Sequence, residues 1–364
     1  MADGQTTTET AEEFALRMST TVSSGYVTLA MSIGVRTGLF IHLSGLDGPR
    51  TAVQIAEATN LKERYVREWL AIMVTARIVD YDKEEKTCFL PPHRHNVLLP
   101  DAGRGSLGNM SEFMRQLAMV TGDVAECFKA DGPKGVPYSA YPDFQGWLGR
   151  MRQYEHETDL VGKFLPTIPG LLEDLAEKRL GIRVHEAACG RGIMTLILAQ
   201  HFPNSTFIGT DICEESIQWA EEESKKRDLA NVTFQVQDLA KMPVEWSDSF
   251  DYVIVWDVIH DLEFPDLALR EARRMVKPGG RFSMVDVKGH AELADNMDNP
   301  AGPALYGFSL LYCMTVSLCL GGKGLGAMWG QESAVQMLQE VGFDPQVLEV
   351  PDSEAEVHFL CVKN

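Results

Sequence analysis

The spacing of hydrophobic positions along this chain changes near residue 180. Before that point, apolar residues recur every three or four positions, as over residues 11–43 and 62–75, which is typical of helices with one buried face. After it, short apolar runs alternate with helical segments. This alternation predicts a parallel sheet with right-handed crossovers. The pattern therefore predicts a mainly helical N-terminal part and an α/β C-terminal part.

The N-terminal pattern predicts a winged helix within residues 11–100. A short helix follows Thr51, a turn falls at Asn60-Leu61, and a second helix covers residues 62–75 with Trp69 on its apolar side. Two strand-like runs separated by a charged turn then predict a β-hairpin. The flanking segments are expected to be a disordered polar tail over 1–10 and a mostly helical connector over 101–180.

The C-terminal pattern predicts a sheet over residues 181–364. One long insertion interrupts it between residues 288 and 331, with an apolar helical segment and a glycine-rich turn, and we expect this insertion to act as a lid over the substrate. The last two strands are expected to form a hairpin. The predicted strands cover residues 183–187, 206–210, 232–236, 252–255, 281–287, 346–350 and 357–362.

A glycine turn follows the first of these strands, in Val184-His-Glu-Ala-Ala-Cys-Gly-Arg-Gly192. Gly190 and Gly192 lack Cβ, so the backbone can approach a ligand closely, and the helix behind the turn offers free N–H groups. Asp211, at the end of the next strand, is placed to accept hydrogen bonds from a ribose diol. A dinucleotide fingerprint would need a third glycine where Thr195 stands, so that fingerprint fails.

The turn resembles motif I of class I S-adenosylmethionine (SAM) dependent methyltransferases. Glu186-x-x-x-Gly190-x-Gly192 followed by Asp211 carries the resemblance, although Ala188 replaces the first glycine. Further motifs follow in the same order: an acid and leucine at 238–239, a fourth-strand motif at 250–257 and Lys-Pro-Gly-Gly at 277–280. The resemblance covers residues 183–364 and is closest to bacterial-type small-molecule methyltransferases with an N-terminal winged-helix domain.

This resemblance implies a Rossmann-like seven-stranded sheet, SAM as the cofactor and S-adenosylhomocysteine as its product. It also implies a small-molecule acceptor methylated on O or N, and a winged-helix domain that serves dimerisation or covers the substrate, giving a homodimer. Asp238 would receive the adenine amine, with Ile212 and Leu239 flanking the adenine. The implied cofactor-binding residues are Glu186, Ala188, Gly190, Gly192, Asp211, Ile212, Asp238, Leu239 and Asp257.

His260 is the candidate catalytic residue. A sulfonium donor is already activated, so positioning supplies most of the catalysis and a base is needed only for a protonated acceptor. His260 lies just past the fourth strand, its pKa range suits a base, and Asp261 is the candidate to orient it. A histidine that shapes the pocket or contacts the cofactor is the alternative. Aromatic residues that could line the acceptor pocket, or simply pack in the core, are Tyr138, Tyr306, Tyr312 and Trp329.

Charge and cysteine content narrow the function classes. The net charge of −19 argues against nucleic acid and against anionic membranes. Seven scattered cysteines without a C-x-x-C pair predict reduced thiols and no zinc site, and Asp257 and Asp261 lack a third ligand nearby, so no metal is predicted. No signal peptide and no apolar run of about 18 residues is found, so a cytoplasmic protein is expected. A SAM-binding transcriptional regulator and a macromolecule methyltransferase remain the alternatives.

Overall fold

The computed structural model describes residues 9–99, 106–142, 144–177 and 181–364. The chain forms two compact units, which divide between Ala118 and Met119. The sequence pattern placed a boundary near residue 100, so the predicted connector is shared between the two units. Residues 1–8 of the predicted tail lie outside the described residues. Thr10, also assigned to that tail, instead caps the first helix through a capping box with Glu13.

The first unit is mainly helical and includes a three-stranded antiparallel sheet of order β1-β3-β2. The two helices and the hairpin predicted as a winged helix are present as α3, α4 and β2–β3. The helices are α1 (Ala11–Arg36), α2 (Leu39–Ser44), α3 (Ala52–Thr59), α4 (Glu63–Thr75), α5 (His95–Leu98) and α6 (Leu107–Met119), and the strands are β1 (Arg50–Thr51), β2 (Asp80–Asp82) and β3 (Thr87–Phe89).

Two features hold these elements together. Thr51 caps α3 through a second capping box with Gln54, which satisfies N–H groups that the helix itself cannot pair. The buried indole of Trp69 in α4 donates a hydrogen bond to the Ala30 carbonyl of α1 at 2.7 Å. The long first helix is therefore fixed against the winged helix by both packing and a directional contact.

The second unit contains a seven-stranded sheet of order β6-β5-β4-β7-β8-β10-β9. Strands β4 to β8 pair in parallel, and β9 and β10 add an antiparallel edge. The predicted seven-stranded α/β sheet is confirmed. The strands are β4 (Arg183–Ala187), β5 (Thr206–Asp211), β6 (Val232–Val236), β7 (Phe250–Trp256), β8 (Val276–Val287), β9 (Gln346–Glu349) and β10 (Glu356–Val362).

Helices cover both faces of this sheet. Val253 and Val255 of β7 pack on one face with α12, and Tyr252 and Ile254 pack on the other with α10, as the alternation of side chains along a strand requires. The helices are α7 (Thr121–Cys127), α8 (Phe144–Glu155), continued by a π-helix (His156–Phe164), α9 (Leu171–Ala176), α10 (Ile193–His201), α11 (Glu214–Lys226), α12 (Pro265–Met275), α13 (Gly302–Phe308), a second π-helix (Ser309–Cys313), α14 (Met314–Cys319) and α15 (Gln331–Glu340).

The segment Lys-Pro-Gly-Gly at 277–280 differs from its prediction as a turn before the fifth strand. It lies inside β8, where the pairing with β7 shifts from Phe250↔Val276 to Tyr252↔Arg281. Gly279 adopts a φ of 77°, and its N–H donates to the Lys363 carbonyl at 2.7 Å. The extra residues are therefore a bulge, held by the end of the chain.

Among the described residues, one helical stretch, Gly302–Cys319, has the length and composition that could cross a membrane. It contains the apolar segment of the predicted lid. Val316 is fully buried, and Ser317 Oγ donates a hydrogen bond to the Leu262 carbonyl at 3.0 Å. We therefore interpret this stretch as a helix packed into the second unit.

The glycine turn between β4 and α10 has three residues in the left-handed region, Ala188, Gly190 and Gly192, with φ of 54°, 54° and 64°. A Cβ added to Gly192 would lie 2.2 Å from Cε1 of Phe234. Phe234 is itself buried, so its ring has little room to move. The turn can therefore approach β6 this closely only with glycine at position 192.

We predict that Gly192→Ala lowers the free energy of unfolding by about 2–4 kcal/mol, because it adds left-handed strain and a clash with a buried ring. Gly122→Ala in α7 is the matched control, since its added Cβ meets nothing within 4 Å and alanine is the better helix former by about 1 kcal/mol. Urea unfolding of the full chain measures both. Equal stabilities of the two variants would contradict this account of the turn.

Candidate active site

Asp211 is held rigidly at the carboxyl end of β5. Its Oδ2 accepts a hydrogen bond from the Gly190 N–H and its Oδ1 accepts one from the Cys213 N–H, both at 2.8 Å. Burial raises the pKa of Asp211, while these backbone hydrogen bonds oppose the increase. The Ile212 N–H also contacts this carboxylate, and its two oxygens together still have acceptor capacity for a further donor. Asp211 therefore connects the glycine turn to the start of α11 and can accept further donors.

Glu186, near the end of β4, is hydrogen-bonded to the first turn of α10. Its Oε2 accepts hydrogen bonds from the backbone N–H of Thr195, at 2.9 Å, and from the Thr195 hydroxyl. Burial raises the pKa of Glu186 to about 7, against the lowering effect of these hydrogen bonds. Thr195 occupies the position where a dinucleotide fingerprint has its third glycine. Here the threonine anchors a carboxyl group to the first turn of α10.

The residues expected around the adenine divide into two groups. Ile212 is 61% exposed. Asp238 is partly exposed, accepts a hydrogen bond from the Ala240 N–H at 2.9 Å and pairs with Lys241. Leu239, by contrast, is buried with Ile208 in the core of the sheet. Ile212 and Asp238 are thus accessible at the sheet edge, and their contacts with a cofactor remain predictions.

Asp257 binds a largely buried arginine, Arg152, that the sequence pattern did not reveal. Arg152 Nη2 donates to Asp257 Oδ2 at 2.7 Å, and its Nη1 donates to Glu155 and Glu356 at 3.0 Å each. Burial opposes the charge of Arg152, but the three carboxylates raise its pKa further above the usual range. Glu356 also accepts from the Trp256 indole at 2.9 Å. No local pattern connects α8 with the end of β7, so only the fold could identify this contact.

His260 is fully buried at the end of β7 and pairs with an acid on the adjacent strand. Its Nδ1 lies 2.7 Å from Asp286 Oδ1. The same oxygen accepts from the Val287 N–H at 2.8 Å and from the Trp329 indole at 3.3 Å. A protonated Nδ1 that donates to Asp286 leaves the Nε2 lone pair free. Asp286, which sequence reasoning did not single out, thus makes the short contact that orients His260.

Asp261 lies on the other side of the ring. Its Oδ1 is 3.3 Å from His260 Nε2. No nitrogen or hydroxyl among the described residues donates a hydrogen bond to this oxygen. Burial raises the pKa of Asp261 to about 6, although His260 lowers it. Burial would lower the pKa of His260, but Asp286 and Asp261 together raise it well above the usual range. The imidazole is therefore a stronger base than a free histidine.

Two of the four predicted pocket residues come together in one aromatic cluster. The rings of Tyr138 and Tyr312 have centroids 6.0 Å apart, and Tyr141, Phe144 and Phe308 complete the cluster around Tyr312. Tyr138 is 36% exposed, and the partial burial of its phenol together with the charge of Asp261 raises its pKa above the usual value.

The other two predicted pocket residues lie outside this cluster. Trp329 is buried and donates to Asp286, as described above. Tyr306 accepts a hydrogen bond from Asn296 Nδ2 at 3.1 Å, so its hydroxyl is engaged by the insertion itself. Roles of Tyr306 and Trp329 in an acceptor pocket remain predictions.

Two family models match this chain, one in its C-terminal part and one in its N-terminal part. Residues 178–340 match a family model described as a methyltransferase domain, and residues 25–99 match the Rv2258c-like winged HTH domain. The chain is similar to (S)-coclaurine N-methyltransferase of Thalictrum flavum subsp. glaucum, with 32% identity over 110 residues. That match covers 29% of this chain and the chain spans only 29% of that relative's length.

Solved structures are similar over nearly the whole chain. An O-methyltransferase family protein from Burkholderia thailandensis has a TM-score of 0.67 at 14% identity, with 98% of either chain covered. Human N-acetylserotonin methyltransferase, solved in complex with SAM, has a TM-score of 0.68 at 15% identity, with 98% of this chain and 99% of that chain covered. At these identities the similarity shows the fold alone, in both its N-terminal and C-terminal parts.

Proposed function

We propose that this chain, which matches a methyltransferase domain over residues 178–340 and a winged HTH domain over residues 25–99, is a SAM-dependent methyltransferase that acts on a small molecule. The proposal depends on one observation: two side chains with fixed orientations, Asp211 and His260, both lie at the carboxyl edge of the same sheet. Asp211 is fixed on the glycine turn, and His260 is fixed by Asp286. In an open α/β sheet this edge is where ligands bind.

The residues present fit SAM. Asp211 keeps acceptor capacity for a ribose diol, and Gly190 and Gly192 leave the turn without side chains. Ile212 and Asp238 are accessible for the adenine. Bound there, SAM would supply a methyl group already activated by its sulfonium. The acidic net charge of −19 does not favour a nucleic-acid acceptor, and Tyr138 and Tyr312 offer aromatic walls to a small one.

The chain's own residues would handle the acceptor's proton. His260 Nε2 takes the proton from a hydroxyl or ammonium acceptor, and Asp286 stabilises the resulting imidazolium through Nδ1. Burial excludes water from this pair, so each electrostatic contact is stronger than in solvent. The acceptor methylated on O or N is therefore activated while the proton remains within the site.

Two further parts of the proposal concern the whole protein. A homodimer through the first unit is supported by an apolar stripe on α1, where Val22, Tyr26, Leu29 and Ile33 are exposed at helical spacing. A cytoplasmic location is supported by the cysteines, because all seven are free thiols in this fold.

We predict that Asp211→Asn weakens SAM binding by roughly 10- to 100-fold. A charged hydrogen-bond acceptor for the ribose contributes about 1.5–3 kcal/mol, and the amide keeps one acceptor for the turn. Asp344→Ala, an exposed acid before β9, is the control. Calorimetric titration with SAM and with S-adenosylhomocysteine measures the change, and NAD serves as the negative ligand. Unchanged affinity in the Asp211 variant would remove the cofactor assignment.

We predict that turnover falls as pH drops through the raised pKa of His260, because only the unprotonated ring accepts a proton. Asp286→Asn removes the anion that raises this pKa, so the acidic limb of the pH–rate profile should move to lower pH. Maximal turnover should fall by at least about tenfold, since the imidazolium loses its partner. Asp295→Asn changes an exposed acid in the insertion that follows β8 and should leave the profile in place. An acidic limb that stays fixed in Asp286→Asn would assign it to another group.

We predict that Tyr26→Glu together with Ile33→Glu converts the protein to a monomer, because a charge in a buried apolar interface is strongly unfavourable. Ser24→Glu is the control, since Ser24 lies on the opposite side of α1 and its hydroxyl donates to the Thr20 carbonyl. Light scattering coupled to size-exclusion chromatography gives the mass. A wild-type monomer, or a double variant that stays dimeric, would each contradict the proposed interface.

A further inference from the structure

A buried thiol completes a set of potential metal ligands around His260. Cys313 lies at the end of the π-helix Ser309–Cys313 and is fully buried as a free thiol. Donor atoms of His260, Asp261 and Cys313 all lie within 4.8 Å of one another. π-helical turns often occur at functional sites. The sequence offered no third ligand for a metal near Asp261, and the fold brings this one from the insertion.

We propose that His260 Nε2, Asp261 Oδ1 and Cys313 Sγ bind a zinc ion, and that zinc and the methyl acceptor compete for this site. Imidazole, carboxylate and thiolate are the ligands that zinc takes in proteins, usually in a tetrahedral arrangement with one position open in reactive sites. A thiolate in the set favours zinc over magnesium or calcium. Zinc–nitrogen and zinc–oxygen bonds are about 2.0–2.2 Å long, and at a tetrahedral angle they separate the two ligand atoms by a little over 3 Å (roughly). The distance between His260 Nε2 and Asp261 Oδ1 is 3.3 Å, which agrees with this spacing.

Two further observations support this assignment. The Nδ1–Asp286 contact at 2.7 Å gives the carboxylate–histidine arrangement that orients metal-bound imidazoles. Asp286 is in turn held by the Val287 N–H and the Trp329 indole. Asp261 Oδ1 is buried and, within the described part of the chain, receives no hydrogen bond from a nitrogen or hydroxyl donor; the weak donor near its carboxyl group is the Cys313 thiol. Such an acceptor is costly to bury and is suited to a cation.

The inhibitory consequence depends on the proposed function, whereas the binding does not. The lone pair of Nε2 cannot hold zinc and accept the acceptor's proton at the same time. On binding, zinc forms bonds to the imidazole, the carboxylate and the sulfur, and the Cys313 thiol and any protonated His260 Nε2 or Asp261 carboxyl group release their protons to solvent. No electron is transferred, and chelation of the metal followed by protonation restores the thiol. Zinc should therefore inhibit methyl transfer reversibly.

Zinc binding is tested directly by competition with a chromophoric chelator and ZnCl2, with the full-length protein. The wild type should bind one zinc per chain. Cys313→Ser should bind zinc at least about tenfold more weakly, because loss of even a residue that only hydrogen-bonds to a metal ligand lowers metal affinity by roughly 10- to 100-fold. Cys319→Ser is the matched control, because Cys319 is a partly exposed thiol six residues further along the same helical stretch. Thermal unfolding and SAM binding of each variant verify that it is folded.

The competition is tested by methyl transfer with and without ZnCl2. Zinc should inhibit the wild type and Cys319→Ser, the chelator EDTA should reverse this, and the activity that Cys313→Ser retains should be at least tenfold less sensitive. No stoichiometric zinc, or equal affinity in Cys313→Ser, would overturn the site. Bound zinc that leaves turnover unchanged or increases it would overturn the competition. If no acceptor is ever methylated, the proposed function fails, while the chelator titration still decides the zinc site.

Discussion

The contact between His260 Nδ1 and Asp286 Oδ1 is the constraint on which the active-site end of this domain depends. Both groups are about 1% exposed, and a buried ion or polar group is tolerated only when it is paired and hydrogen-bonded. The pair joins the end of β7 to the end of β8, and the Trp329 indole adds the far end of the insertion. One electrostatic requirement therefore fixes two strands and the insertion at the same point. It also fixes the ring orientation, which determines the nitrogen available for chemistry.

The cofactor side of the sheet follows the same physical rule. Asp211 receives two backbone N–H groups, and Glu186 receives the N–H and hydroxyl of Thr195. Both acids are immobilised before any ligand arrives, so little ordering is left for the moment of binding. For a transfer in which positioning supplies most of the rate, this is the economical arrangement. The left-handed backbone of Ala188 belongs to the same turn, and it indicates that the tight conformation is kept even where alanine replaces glycine.

Much of this architecture could be predicted from local sequence, because local pattern determines it. The alternation of short apolar runs with amphipathic helices predicted the strands and helices in their order along the chain, and the spacing of Gly190, Gly192 and Asp211 predicted a tight turn next to an acid at the carboxyl edge of the sheet. The partners that adjust the chemistry could not be found in this way. Arg152 meets Asp257 across 105 residues, and Asp286 reads locally as one more position of an apolar strand. An acid within such a strand was the available signal, since a buried carboxylate requires a partner.

Asp261 differs from the neighbouring acids, Asp257 and Asp286, in how closely a cationic group approaches it. Asp257 shares Arg152 with two glutamates, and Asp286 is matched by His260, so each of these acids has a cationic contact at 3.0 Å or less. Asp261 has only the longer contact to Nε2 and a pKa raised to about 6 by burial. Its carboxyl group therefore changes charge close to neutral pH, next to His260 Nε2. Asp261 Oδ1 and Asp286 Oδ2 are buried carboxylate oxygens beside His260 that receive no hydrogen bond within the described part of the chain, so an ammonium, a hydroxyl or a metal ion that reaches this point finds unsatisfied acceptors. The same incomplete pairing that makes the site costly to bury thus makes it able to bind.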